Sequence, residues 1–541
     1  MSPRPRFTTK IDRIRNVILG VLLRPLRWFS PTTQLIIGFA GLSALTTLVL
    51  SWWPFTLRTI VVFLLVSASY FLVWRFVRYR SSAVDLLTSR ERAFALVGSA
   101  ILFQSAIIRF SFIVIDAIAS QSTRAPFNNA EVWAFAVPFA AASLLVRMLL
   151  DRQLSFATGI AVAGVAGLLA QNRTSLAMYA FVACAAAAYG LKRYHERQTV
   201  TIAGLIVAGL NMLIAAVITA LTQPRFKLFD ILVAALFGFI GGLLTIVFAA
   251  GGMPINESLF GVLTDIRLLE LTNADLPVLS QLAVRAPGTN QHSHAVGQLA
   301  EDACRAIGAN AILARVGALY HDIGKVAAPE HFVENQSGEN PHDRLRPIQS
   351  AKIITSHVTY GLRLAKEVGL PKRVADFIPQ HHGTRTLHFF LQKAHAESNG
   401  KTINEQDFRY PGPKPQFKEA AILMLVDSAE AAARSLAQPN GENIRAIVAK
   451  IFDAVVNDGQ LDDSHLSLSE LGRLREAIVN SLIAIYHPRI NYPGFNIPSG
   501  SDEPPKPNIT YAQPADVPIN PSGEVEEEAM SWSEAPDKKG F

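Results

Sequence analysis

Histidine and aspartate residues in the second half of the sequence are the side chains best suited to metal chemistry. Imidazole and carboxylate groups together bind Mn, Fe or Zn. The only two cysteines, Cys184 and Cys304, lie within an apolar stretch and a helical pattern, so neither a disulfide framework nor a thiolate metal site is available. Any metal must therefore be held by histidines and carboxylates, and the candidates are His292, His321, Asp322, His357, His381, His382 and Asp427.

The adjacent pair His321 and Asp322 is the most informative part of this pattern. It lies in the segment Tyr320-His-Asp-Ile-Gly-Lys325, where a helix ending at Gly324 can direct both side chains into one cavity. The two carboxylate oxygens of the aspartate can then bridge two cations. Two neighbouring metals can activate a shared water and neutralise charge on a phosphoryl group, which is the chemistry of many phosphodiesterases.

Each of these residues also has a simpler explanation when it is considered alone. A single histidine on a helix is more often a packed or surface residue than a ligand, and a His-His or His-Asp pair by itself indicates little more. Their occurrence together, in this order, favours the metal interpretation. Asp427 adds weight, because an unpaired carboxylate on the apolar helix face formed with Leu425 and Val426 would be expensive to bury.

The first half of the sequence has the composition of a membrane protein. Hydrophobic residues make up 50% of the chain and charged residues only 17%. A spanning helix needs about 20 apolar residues, and stretches near that length predict about eight spans. We expect these spans at 33–53, 58–77, 93–119, 132–150, 154–170, 176–191, 199–222 and 229–253.

Basic residues set the expected orientation of these spans. Residues 1–30 are rich in arginine and lack a small-residue cleavage site, so they are interpreted as a retained cytoplasmic anchor. The net charge of +7 is concentrated in such topology signals, and no nucleic acid polymer is expected as a partner. An even number of spans returns the chain to the cytoplasm near residue 254. We therefore expect a multi-pass protein of the cell (inner) membrane, with the N-terminus and the second half cytoplasmic.

The second half is expected to be all-helical. Apolar residues recur at helical spacing, as in Ala300, Cys304 and Ile307, and strand alternation is scarce. The predicted fold class is thus all-α, a polytopic membrane helix bundle followed by an all-helical cytoplasmic domain. The expected divisions are a basic N-terminus (1–30), a membrane domain (31–253), a connector (254–286), a metal-binding domain (287–493) and a disordered, Pro-rich and acidic tail (494–541).

Several motifs of the second half occur together and in register. They are Pro287-Gly-Thr-Asn-Gln-His-Ser293, Tyr320-His-Asp-Ile-Gly-Lys325, Glu334-Asn-Gln336, Asn340-Pro-His-Asp343, Ser356-His-Val358, Gln380-His-His-Gly-Thr384, Phe408-Arg-Tyr-Pro-Gly-Pro-Lys-Pro415, Val426-Asp-Ser428 and Tyr486-His-Pro-Arg489. Residues 254–493 accordingly resemble the HD superfamily of metal-dependent phosphohydrolases. They more closely resemble the HD domain of the seven-transmembrane HD family of cyclic di-AMP phosphodiesterases.

This resemblance implies two divalent transition metal ions, Mn or Fe, as cofactors. It further implies a metal-bridging hydroxide that attacks phosphorus and opens cyclic di-AMP to linear pApA. All seven ligand positions of the family are filled in this sequence. One metal would take His292, His321, Asp322 and Asp427, and the other would take Asp322, His357, His381 and His382.

The resemblance also suggests which residues act on the substrate. Asp322 and Lys325 are the predicted catalytic residues, with Lys325 neutralising phosphate or, alternatively, acting only as the cation at a helix C-terminus. Arg409 is a candidate phosphate ligand or is simply solvated. The remaining candidates, which either line the nucleotide pocket or merely stabilise their loop, are Asn335, Asn340 and His342.

The sequence departs from the family pattern in one place and differs from a related branch in another. Family members usually carry a large extracellular domain after the first span, whereas only residues around Trp53 and Pro54 separate the first two spans here, so the sensed signal is not indicated. The related HD-GYP branch, which acts on cyclic di-GMP, has a Gly-Tyr-Pro block after the His-His pair. This chain has Gly383 and Thr384 there, which favours cyclic di-AMP.

Two functions other than a cyclic dinucleotide phosphodiesterase are also compatible with the sequence. One is an HD hydrolase that acts on another nucleotide, and the other is a nucleotide-binding membrane receptor without turnover. Retention of every ligand favours an enzyme whose partners are a cyclic dinucleotide and the lipid bilayer, and a homo-oligomer is one option for its assembly. The connector either relays membrane events to the site or is a plain packing helix.

Overall fold

Helices make up most of the chain that the structure describes. The computed structural model describes residues 30–51, 56–79, 89–170, 174–190, 198–222, 227–336, 338–398 and 402–486. The predicted basic N-terminus, apart from residue 30, and the predicted disordered tail lie outside these residues. Within the described ranges there is no β-strand, only an isolated bridge between Thr386 and Arg409. The all-α fold class is confirmed.

The first half is a bundle of apolar helices. Its members are α1 (Pro31–Ser51), α2 (Leu57–Tyr79), α3 (Arg90–Gln121), α4 (Ala130–Ala134), α5 (Ala141–Leu149), α6 (Arg152–Leu169), α7 (Thr174–Tyr189), α8 (Gln198–Thr222) and α9 (Leu228–Phe260). By length and composition, six of these described helices can cross a membrane, namely α1, α2, α3, α6, α8 and α9. The helix α7 is apolar but shorter. Multi-pass membrane association therefore follows from this half.

The continuous span predicted at 132–150 is wrong, because the chain breaks there into α4 and α5. Pro138 lies in the break, and proline has no N–H to continue the helical ladder. Gln104 of α3, which is 1% exposed, satisfies the freed backbone groups. Its Nε2 donates to the carbonyl of Pro138 (3.0 Å), and its Oε1 accepts from the N–H of Ala142 (3.1 Å). Irregular backbone among membrane helices persists where protein groups satisfy it in this way.

The last helix of this half, α9, continues past the boundary predicted at residue 253. Pro254 lies inside the helix, which ends only at Gly261, where φ is +63° and a side chain would be strained. The connector then forms α10 (Asp265–Glu270) and α11 (Pro277–Arg285). Their buried leucines belong to the apolar core of the second half. The connector thus packs as part of that half.

The second half is a compact set of helices around one apolar core. Its remaining α-helices are α12 (Pro287–Ile307), α13 (Ala311–Tyr320), α14 (Pro347–Val368), α15 (Lys372–Ala375), α16 (Phe377–Gln380), α17 (His388–Glu397), α18 (Lys418–Arg434), α19 (Gly441–Asn457) and α20 (Leu468–Ile485). Short 3₁₀ turns connect several of them, at Ile323–Ala327, Pro329–His331, Val333–Asn335, Pro341–Arg344 and Glu405–Phe408. The helices α12, α13, α14, α16 and α18 converge on one buried polar cluster.

Gly324 allows the 3₁₀ turn after α13 to approach the backbone of α14. A Cβ atom at this position would lie 1.8 Å from the carbonyl oxygen of His357. We expect Gly324→Ala to destabilise the domain by about 1–3 kcal/mol, the usual cost of overpacking, and to lower the apparent melting temperature in differential scanning fluorimetry. The matched control is Gly297→Ala in α12, whose Cβ would have its nearest neighbour at 3.5 Å. Equal melting temperatures of the two variants would contradict this account.

Candidate metal centre

The seven predicted ligands form two adjoining groups of side chains. The ligand atoms within each group lie within 4.8 Å of one another. His382 is partly exposed and the others are buried. One group is Asp322, His357, His381 and His382, and the other is His292, His321 and Asp427.

Asp322 faces both groups because it follows the last turn of α13 at the centre of the domain. Its Oδ1 lies 3.4 Å from Nε2 of His357 and 3.6 Å from Nε2 of His381. Its Oδ2 lies 3.2 Å from Nε2 of His321, in the other group. One carboxylate therefore directs its two oxygens to two sets of imidazoles, which is the geometry that a bridging ligand requires.

Three of the imidazoles are oriented by the backbone of their own helices. Nδ1 of His321 donates to the carbonyl of Ala318 (2.6 Å), and Nδ1 of His357 donates to the carbonyl of Ile354 (2.6 Å). Nδ1 of His381 donates to a carbonyl in the same manner, at 3.1 Å. A carbonyl can only accept, so Nδ1 carries a proton in each of these rings and Nε2 faces the cluster. Metal-binding histidines are characteristically held in this way.

The cluster contains buried polar atoms whose hydrogen-bonding capacity is unused. Nε2 of His321, His357 and His381 and Oδ1 of Asp322 have no hydrogen-bond partner among the described residues. Each such buried group costs about 1–3 kcal/mol when it is left unsatisfied. All four atoms belong to groups that can donate an electron pair to a cation, so the residues present fit a divalent metal centre.

Nearby carboxylates raise the pKa values of the imidazoles in the two groups, whereas burial lowers them. Burial lowers the pKa of His292, but hydrogen bonds to Asp427 (2.9 Å) and Glu430 (2.7 Å) outweigh it and raise the pKa to about 9. Burial also lowers the pKa of His321, but the neighbouring carboxylates, Asp322 above all, outweigh it and raise the pKa to about 10. Burial prevails at His357 and lowers its pKa to about 4. In the absence of metal, the group around His292 therefore binds protons, whereas His357 is neutral.

Lys325 lies at the edge of the cluster, one turn after Asp322. Its Nζ is 2.7 Å from Oδ2 of Asp322 and 2.7 Å from Oε1 of Glu334. Burial lowers the pKa of this amine, but the two carboxylates outweigh it and hold the pKa above its usual value. Glu334 is fixed in turn by the hydroxyl of Thr289 in α12 (2.8 Å). A permanent positive charge therefore lies directly beside the candidate metal ligands.

The other predicted substrate residues are engaged in contacts that hold their loops. Nδ2 of Asn335 donates to Thr289, and Oδ1 of Asn340 accepts from the backbone N–H of His342. The His342 ring is buried, and its Nε2 donates to the carbonyl of His331 (2.9 Å). The guanidinium of Arg409 donates to the carbonyl of Thr384 (3.2 Å). These contacts favour the loop-stabilising alternative for the two asparagines and the histidine.

Two residues near the cluster were not among the sequence candidates. Glu430 binds His292, and its spacing of three residues from Asp427 places both carboxylates on one face of α18, a signal that the sequence does contain. The ring of Tyr410 stacks on His382 with centroids 4.1 Å apart. The loop that carries Tyr410 lies far from His382 in sequence, so only the fold brings the two rings together.

Each half of the chain matches a known protein family model. Residues 52–264 match the family model described as a 7TM receptor with intracellular HD hydrolase, and residues 289–432 match the HD domain. The chain is 36% identical over 394 residues to the cyclic-di-AMP phosphodiesterase PgpH of Bacillus subtilis, covering 72% of this chain and 55% of that protein. It is 37% identical to PgpH of Listeria monocytogenes, covering 66% of this chain and 50% of that protein. The chain thus spans about half the length of these relatives.

A solved structure is also similar in sequence to the second half. It is the crystal structure of the L. monocytogenes PgpH HD domain in complex with cyclic di-AMP, which is 44% identical and has a TM-score of 0.38. The match covers 40% of this chain and 100% of that one. The apolar half is thus similar to the family of 7TM receptors with an intracellular HD hydrolase, and the metal-binding half is similar to the HD domain.

Proposed function

We propose that this protein is a membrane-anchored, metal-dependent phosphodiesterase that hydrolyses cyclic di-AMP to linear pApA. The strongest support is the pair of buried ligand groups that share Asp322 and leave four electron-pair donors without a hydrogen-bond partner in the described chain. Two divalent cations held by these adjoining ligand groups would be suited to phosphoryl transfer. The choice of cyclic di-AMP rests on the activity named for the two PgpH relatives.

The proposed ligands divide between the two metals as the geometry groups them. One ion would be held by His292, His321 and Asp427 together with the shared Asp322, and the second would be held by Asp322, His357, His381 and His382. When bound, the two cations supply an activated water and neutralise charge on the phosphoryl group. Mn or Fe is the proposed metal, as the resemblance to the HD phosphohydrolases implies, and the imidazole and carboxylate ligands suit these ions.

The protein itself contributes orientation and charge to this reaction. The backbone carbonyls that accept from Nδ1 keep three imidazoles pointed into the cluster, which avoids reorganisation when substrate binds. Lys325 is proposed to stabilise negative charge on the phosphate, and Arg409 is a more distant candidate for the same task. Asp322 is the proposed catalytic carboxylate that serves both sites.

The proposed location of the HD domain is the cytoplasmic side of the cell membrane. The arginine-rich segment before α1 supports a cytoplasmic N-terminus by the positive-inside rule. The proposed organisation is a membrane domain that ends with α9 at Phe260, a connector to 286 and the HD domain to 493. A reporter fused after α20 that is active only in the cytoplasm would test this orientation, and activity of a periplasmic reporter there would contradict it.

The substrate is tested with the full chain in detergent micelles and added Mn²⁺. We expect conversion of cyclic di-AMP to linear pApA, detected by chromatography, and much slower conversion of cyclic di-GMP. Turnover that prefers another nucleotide would replace the substrate assignment while keeping the hydrolase. Binding of cyclic di-AMP and Mn²⁺ without any turnover would favour the receptor alternative instead.

Lys325→Met tests the proposed phosphate contact. We expect turnover to fall by roughly 100-fold, the effect of removing one preorganised charge-stabilising donor, with Mn²⁺ binding retained. Lys352→Met, which changes an exposed lysine of α14, is the control and should leave turnover unchanged. A turnover number for Lys325→Met equal to that of the control would assign Lys325 the merely structural role.

A further inference from the structure

The hydrogen-bond partner of Nδ1 in His292 differs from that in three other candidate ligand histidines. Nδ1 of His321, His357 and His381 donates to a backbone carbonyl of the same helix. Nδ1 of His292 instead lies 2.7 Å from Oε2 of Glu430, a carboxylate of α18 that is 2% exposed. One ligand group therefore has a buried anion directly behind it, and this contact has no counterpart at those three imidazoles.

Glu430 is itself fixed by contacts to its second oxygen. Nε of Arg434 donates to Oε1 (3.0 Å), and the hydroxyl of Tyr486 lies 3.2 Å from the same oxygen. The two oxygens of the carboxylate are thus used separately, with Oε2 left for His292. Because Arg434 lies one turn further along α18 and Tyr486 follows α20, two elements of the domain together set the position of one carboxylate.

We infer that Glu430 is a positioning residue that makes the two metal sites unequal, an inference that rests on the proposed two-metal centre. A carboxylate that accepts from Nδ1 fixes the tautomer and makes Nε2 a stronger electron-pair donor. Asp427 adds a second anion to the same site, whereas the site of His357 has the shared Asp322 and three histidines. The site of His292 therefore binds a divalent cation more tightly than its neighbour.

The test measures metal binding to the full chain in detergent, without substrate. Wild type and Glu430→Gln are stripped of metal, and Mn²⁺ binding is followed by equilibrium dialysis with elemental analysis. Glutamine keeps the shape of the side chain and an acceptor oxygen but removes the charge. We expect two sites in the wild type, and in the variant a loss of roughly 10- to 100-fold in affinity at the tighter site alone, the usual effect of removing such a partner.

Glu301→Gln is the matched control for loss of a buried carboxylate. Glu301 is 6% exposed and pairs with Arg305 and Arg315, yet it has no contact with a candidate ligand. The control should bind Mn²⁺ as the wild type does, even if its melting temperature falls. A second variant, Tyr486→Phe, should give a smaller loss at the same tighter site, because Arg434 still holds the carboxylate.

The outcomes separate this inference from the proposed function. Two unaltered sites in Glu430→Gln, or an equal loss at both sites, would overturn the positioning role while leaving the metal centre intact. A wild-type chain that binds fewer than two Mn²⁺ ions would instead contradict the two-metal centre itself. A selective loss at one site, absent from Glu301→Gln, supports the inference.

Discussion

Asp322→Asn is expected to abolish turnover of cyclic di-AMP. Among the described residues, Asp322 is the one carboxylate whose oxygens face both ligand groups, at 3.2–3.6 Å from three imidazoles. An amide has one oxygen and no charge, so it cannot serve both sites. Metal ions stabilise such transition states by several kcal/mol, and about 1.4 kcal/mol corresponds to a tenfold change in rate. We therefore expect turnover to fall by at least roughly a thousandfold.

The measurement combines chromatography of the linear product with the metal content of the same preparation. We expect less than two bound ions in the variant, because the shared ligand is lost. Asp343→Asn, in the exposed 3₁₀ turn at Pro341–Arg344, is the control and should keep full turnover. Substantial turnover by Asp322→Asn would refute the shared-ligand centre, whatever the metal content.

Metal affinity at the His292 site is expected to rise steeply with pH. In the absence of metal the pKa of His292 is raised to about 9 and that of His321 to about 10, so both rings are protonated at neutral pH. A metal ligand must be deprotonated, so metal binding displaces these protons. Each displaced proton gives about a tenfold gain in affinity per pH unit below its pKa, hence up to about 100-fold per unit for both. Above those pKa values the gain ends.

His357 in the second site should add no such pH dependence. Burial lowers the pKa of His357 to about 4, so this ring is already neutral and has no proton to lose between pH 6 and 8. Calorimetric titration of the metal-free full chain with Mn²⁺, in buffers of different ionisation enthalpy, counts the protons released at each site. An affinity at the tighter site that is constant between pH 6 and 8 would show that its histidines are neutral without metal.

Hydrophobic composition determined most of the membrane half directly from the sequence. An apolar stretch of sufficient length can satisfy its backbone only as a helix in lipid, so seven of the predicted spans correspond to helices of the described chain. The stretch at 132–150 is equally apolar, yet it breaks at Pro138. Its stability depends on the carboxamide of Gln104, a contact between residues 34 positions apart. Periodicity within one segment carries no information about such a partner.

The residue types of the metal centre were likewise evident in the sequence. A set of His and Asp residues in this order indicates its chemistry, although α13 ends at Tyr320 and not at Gly324 as the sequence predicted. What the sequence left open was which polar residues reach the cluster and which hold loops. Tertiary packing decided this, because it paired Lys325 with Glu334 and Asn335 with Thr289.

Only the tertiary structure decided which ligand histidine has a carboxylate as its Nδ1 partner and which have backbone carbonyls. A backbone carbonyl three or four residues earlier is a partner that any helical histidine can find locally. Glu430 reaches His292 only because α12 and α18 pack face to face, and Tyr486 reaches Glu430 only because α20 packs beside them. The sequence determined which groups can bind metal, and the packing of distant helices determined the electrostatic environment of each group.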